Sequence, residues 1–131
     1  MTAITSMPCP CGSDKTYARC CAPFIRGDAI PPDARTLMRS RYCAYVLEDE
    51  AYLLATWHTL TRPANLDLKR EPRPRWLGLK ILSHRDADEE HAQVEFVARY
   101  KISGRGFRLH ETSRFERVNG RWHYLDGVVS E

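Results

Sequence analysis

Four of the five cysteines in this 131-residue chain fall within the run CPCGSDKTYARCC, from Cys9 to Cys21, and no other stretch restricts the fold as strongly. Cys9 and Cys11 form a C-x-C pair, and Cys20 with Cys21 forms a C-C pair after an eight-residue spacer that holds Gly12 and Ser13. Four thiolates on one short loop meet the tetrahedral demand of a structural zinc ion. Pro8 and Pro10 stiffen the first pair, and Gly12 lets the chain turn back beneath the ion. A vicinal disulfide is strained, so Cys20 and Cys21 each need another partner, and a metal supplies one to both. Two disulfides or a redox-active thiol pair are the alternatives. Four thiolates around a divalent cation leave about −2 of charge, and Lys15, Arg19 and Arg26 are near enough in sequence to offset it. Such a site also accepts iron, so the spacing leaves the metal's identity open.

The pattern Cys9, Cys11-Gly12-Ser13, Lys15, Tyr17, Cys20-Cys21 resembles the SEC-C motif, the zinc knuckle at the C-terminus of the SecA translocation motor and in many small bacterial proteins. The resemblance implies one structural zinc held by Cys9, Cys11, Cys20 and Cys21. It also implies a protein partner for the knuckle, as when the motif helps the motor engage its chaperone or the ribosome. Asp14 stands where the motif more often has glycine.

The rest of the chain suits one folded domain: 43% of residues are hydrophobic and 28% charged, far from the balance of a disordered chain. The formal charge of +3 is a weak argument for nucleic acid. LKREPRPR and RYKISGRGFR read as solvated charge, and the aromatics read as core and pocket wall, so a nucleic-acid partner is disfavoured. The start MTAITSMPCP lacks the basic and apolar regions of a signal peptide, and no run approaches the roughly 20 apolar residues of a membrane span. The expectation is a cytoplasmic protein in which thiols stay reduced.

After the knuckle, APFIRGDAIPPDA is a linker entering a helix capped by Asp33. From Ala34 to Leu47, the residues Leu37, Met38, Tyr42, Tyr45 and Val46 share one helical face with Arg41, while Cys43 projects from the opposite side as a free thiol. Glu48-Asp49-Glu50 opens a second helix, AYLLATW. Beyond the proline-broken PANLDLKREPRPR the period changes to two, giving strands over Trp76 to His84, His91 to Ile102, Phe107 to Val118 and Arg121 to Val128. Asn119-Gly120 signals a type I′ hairpin, and a two-residue loop pairs Phe115 with Tyr124 and Ser113 with Asp126. Helices followed by an antiparallel meander predict an α+β domain, with two or three helices on one face of a curved sheet.

That register places Glu111 and Asp126 on an aromatic inner face, towards which the first helix brings Arg41. Buried charges must be paired or wet. Either Arg41 bridges the carboxylates structurally, or the face lines an acid-base site with Asp126 or Glu111 as base, Arg41 as anion holder and His58 or Tyr100 as proton donor. His58 has a simpler role as a cationic cap on its helix.

The element order, with LMRSRYCAYV, TWH and LHETSRFERVNGRWHYLDG, resembles the YchJ-like family of uncharacterised bacterial proteins over nearly the whole chain. The resemblance implies a SEC-C knuckle and linker over residues 1–30, then a nuclear-transport-factor-2-like cone over 31–131 whose helices close over a curved sheet and leave a pocket. It implies no particular reaction, because cones of this type serve isomerases, dehydratases, hydrolases and pure binding modules. Two readings follow. In the first, the chain is a zinc-binding module with a protein partner on the knuckle and a ligand or partner in the cone; in the second, it is a small enzyme with an acid-base pocket. The outer sheet face of such cones often pairs, which suits a dimer.

Overall fold

The computed structural model describes residues 7–130. These begin with the cysteine loop, closed by the Cys9 amide donating to the Lys15 carbonyl at 2.8 Å and the Gly12 amide to the Cys9 carbonyl at 3.1 Å. Asp14 sits in the left-handed region at φ 69°, which is why glycine suits that position. A short 3-10 turn, Tyr17–Arg19, leads to α1, Ala22–Arg26, which ends at left-handed Gly27.

Helix α2, Ala34–Val46, starts where the Asp33 carboxylate accepts the Thr36 amide at 2.7 Å. Its buried residues include Leu37, Met38 and Tyr42, but also Ala34, Ser40, Cys43 and Ala44. The helix therefore has two covered sides, the sheet on one and the cysteine loop with α1 on the other. This corrects the placing of Cys43 on an outward side: it is 0% exposed. Helix α3, Glu50–Ala55, is capped by Asp49, whose carboxylate accepts the Tyr52 amide at 3.1 Å.

Four antiparallel strands follow as a meander in the order β1-β2-β3-β4: β1 Arg75–Asp86, β2 His91–Ile102, β3 Arg105–Val118 and β4 Arg121–Ser130. Two hairpin turns need left-handed backbone at both central residues, and Ser103-Gly104 (φ 51° and 80°) and Asn119-Gly120 (φ 52° and 78°) supply it. The register shifts twice in β1, at Leu77 and Leu82, and both side chains are exposed. The architecture is thus α+β, with helices packed on a curved sheet.

Phe115 pairs with Tyr124 as the turn dictates, but one residue further along the register slips, so that Arg114 faces Asp126 and Ser113 faces Gly127. Leu125 is the extra residue, and its carbonyl accepts the Thr61 hydroxyl at 2.6 Å from the segment after α3. The bulge moves Asp126 off the inner face.

One hydrophobic cluster runs through the molecule, in which Cys9, Cys11, Tyr17 and Cys21 pack with Leu37, Tyr42, Val94, Phe96, Phe115 and Trp122. The knuckle and the cone thus share a core. No helix among the described residues is long and apolar enough to cross a membrane.

Candidate metal centre

The loop and α2 together bring five sulfurs into one region. The Sγ atoms of Cys9, Cys11, Cys21 and Cys43 all lie within 4.8 Å of one another, and all four residues are buried. Cys9 and Cys43 are 3.5 Å apart although they are 34 residues apart in sequence. Cys20 stands beside this group, 3.5 Å from Cys11 and 3.8 Å from Cys21, partly exposed and 3.0 Å from the Ser13 hydroxyl. No disulfide forms; all five thiols are free.

Soft sulfur donors, crowded and out of water, fit a divalent zinc-type ion. Hydrogen bonds from Cys21, Cys43 and Cys9 hold the Cys11 thiol far below its ordinary pKa. Contacts headed by Cys11 push Cys21 and Cys43 up, and burial pushes Cys20 up to about 11. Cys9 is lowered too, to about 6: its contact with Cys11 opposes the shift, but those with Cys21 and Cys43 together outweigh it. The cluster thus favours negative charge on the C-x-C pair beside thiol donors, and a cation would take the place of the remaining protons.

The basic residue that reaches the cluster is Arg39, which the sequence reading missed. Its Nη1 donates to the Cys11 carbonyl at 2.9 Å and lies 3.8 Å from the Cys11 sulfur. Arg39 and Cys43 are four residues apart on α2 and so lie on one helical face. That spacing was the available signal, although nothing in it says that this face meets the loop.

A second feature is a cavity of about 250 Å³ between α2 and the sheet, lined by Tyr42, Tyr45, Trp76, Phe96, Glu111 and Arg41 among others. Arg41, 3% exposed, donates through Nη1 to the Leu53 carbonyl at 2.8 Å and to the Thr56 hydroxyl at 2.7 Å, and its guanidinium lies over the rings of Trp57 and Tyr124. Burial lowers its pKa, while nearby tyrosines and Glu111 oppose the shift. Glu111 accepts the Ser113 hydroxyl at 2.5 Å and the Tyr124 hydroxyl at 3.4 Å. Its carboxylate occupies the space that a side chain at Gly127 would fill.

Of the five residues considered for acid-base chemistry, Arg41 and Glu111 line this cavity; the other three do not. Asp126, displaced by the bulge, is paired with Arg114 at 2.6 and 2.5 Å in a largely exposed fork that lowers its pKa. His58 accepts the Leu60 amide on Nδ1 and meets Glu116 through Nε2 at 3.2 Å, so both ring nitrogens are engaged away from the last carbonyls of its helix. Tyr100 lies between the rings of Trp76 and Phe107.

Fold and site together define a class: an α+β domain of helices on a curved antiparallel sheet, with a buried cysteine cluster between its N-terminal loop and α2. Residues 33–127 match the family described as YchJ, middle NTF2-like domain, and residues 8–23 match the SEC-C motif. The chain belongs to the YchJ family, whose curated bacterial relatives carry the name UPF0225. It is 54% identical over 132 residues to the UPF0225 protein of Ralstonia nicotianae, covering 93% of this chain and 91% of the relative. It is 55% identical over 127 residues to that of Methylibium petroleiphilum, covering 94% and 89%. The solution structure of a SEC-C motif containing protein from Rhodopseudomonas palustris superposes with a TM-score of 0.84 at 32% identity, covering 95% of this chain and all of that one.

Proposed function

We propose that this protein is a zinc-dependent binding module: the cysteine cluster holds one structural zinc, and the metal-braced knuckle presents a surface to a protein partner. The observation that carries this reading is the buried group of four mutually close thiols, a closed donor set that leaves an ion no open position for chemistry. A groove of about 590 Å³ supports the partner role; it runs between α1 with its following loop and α3, with Phe24 in its wall and Ile30, 49% exposed, on it. Replacing Ile30 with Lys tests the surface, and metal analysis of protein purified without added metal tests the ion. The expected result is one zinc per chain in both proteins, with a chaperone or ribosome partner retained by the wild type and lost by Ile30→Lys. Protein without metal, or partner binding indifferent to both the groove and chelation, would overturn the reading.

A second reading rests on the cavity. A guanidinium with no carboxylate within ion-pair distance among the described residues, walled by aromatic rings, suits a small ligand with an acidic group and an apolar body. If the cone is instead an enzyme, Glu111 is its base and Arg41 its anion holder. Glu111→Gln then abolishes turnover of a bound acid while leaving its affinity, whereas a pure binding site shows no turnover to lose.

A further inference from the structure

The five sulfurs offer two ways to complete a four-thiolate site. Tetrahedral bonds of roughly 2.3 Å set ligand sulfurs about 3.8 Å apart. Cys20 meets that spacing to Cys11 and Cys21, and Cys43 meets it to Cys9. Burial and mutual closeness separate the two sets. Cys43 belongs with Cys9, Cys11 and Cys21 to the group whose members all lie within 4.8 Å, so contraction by about 1 Å at most closes the site. Cys20 is partly exposed and directed to the Ser13 hydroxyl.

The surroundings agree. Cys43 is carried by a 13-residue helix whose start is pinned by Asp33, a stiffer support than the loop. Arg39, one turn earlier on the same helix, meets the carbonyl and the sulfur of Cys11, as an outer-shell cation would beside an anionic thiolate centre. Helix α2 thus offers both a ligand and compensating charge.

We infer that the metal is held by Cys9, Cys11, Cys21 and Cys43, the fourth thiolate coming from helix α2 of the cone, with Cys20 left beside the site as a free thiol. This rests on the reading of the cluster as a metal site. The ion then ties the knuckle to the domain that follows it, across 34 residues of sequence from Cys9 to Cys43.

The direct test is the full-length wild-type protein loaded with ¹¹³Cd and examined by proton–cadmium correlation, which shows the β-protons of each ligating cysteine. Correlations from Cys9, Cys11, Cys21 and Cys43 are expected, with none from Cys20. Correlations from Cys20 and none from Cys43 would overturn the inference while leaving the metal reading standing; failure to bind cadmium or zinc at all would overturn both. Cobalt-loaded variants give an independent readout. Cys20→Ser keeps the thiolate charge-transfer band, whereas Cys43→Ser loses about a quarter of it, one thiolate in four. Its zinc affinity falls by more than the roughly 100-fold that loss of an outer-shell partner brings. An unchanged band in Cys43→Ser would again refute the assignment. The wild-type cadmium spectrum decides the question even if that variant does not fold.

Discussion

Stripping the metal should lower the melting temperature of the sheet, not only that of the loop. The knuckle cysteines share one hydrophobic cluster with Leu37, Phe96, Phe115 and Trp122, so the core has no seam at which the loop could melt alone. An ion present at 1,000 times its dissociation constant stabilises the folded state by about 4.1 kcal/mol. Unfolding roughly 125 residues at about 2.1 cal/mol/K each gives an entropy near 0.26 kcal/mol/K, and the ratio is a shift of about 16 °C. Thermal melts followed by circular dichroism at a β-sheet wavelength, with reductant throughout, compare zinc-loaded and chelator-treated protein. A single transition displaced downward by about that amount is expected. If chelation left the sheet transition in place and removed only N-terminal signals, the shared-core argument would be wrong.

Other substitutions separate the buried charges from the exposed ones. Arg41→Ala removes two charge-assisted hydrogen bonds and two ring contacts, and the denaturant midpoint should report a loss of about 2–4 kcal/mol. Asp126→Asn breaks an exposed pair and should change stability by less than about 1 kcal/mol. Gly127→Ala forces Glu111 from its place and should uncouple it from Ser113, seen as a changed Ser113 amide shift by NMR with the sheet otherwise intact. Burial holds the pKa of His123 below its ordinary 6.5, so the unfolded chain takes up the proton more readily. Its contribution is therefore complete above pH 6.5 and declines as pH falls below that value. Urea midpoints at pH 7.5 and 5.5 should differ less in His123→Gln than in the wild type.

The strands were legible because each hairpin carries its own local signal, and left-handed backbone at Asn119-Gly120 is a demand that few residues meet. The bulge at Leu125 was not, because its carbonyl is held by Thr61, a contact across 64 residues that no period-two pattern contains. That one residue decides whether Asp126 faces the cavity or the solvent. Cys43 was misplaced for a related reason. A helical-face reading allots a helix one buried side, whereas α2 has its other side covered by a loop from earlier in the chain. Arg41 and Glu111 were correctly brought towards one face because neither depends on the register beyond the bulge.

The order of the elements bears on how the protein is made. Every cysteine lies in the first 43 residues, and the first strand begins at Arg75. Synthesis runs from the N-terminus at about 5–20 residues per second, so the thiols and α2 emerge seconds before the surface on which that helix will rest. With the ligand set inferred above, a metal bound at that stage would hold the nascent helix to the loop while its other side still waits for the meander. Each strand that follows then adds beside the one before it. Scarcity of the ion during growth would therefore act on the yield of newly made chains more strongly than on molecules already complete.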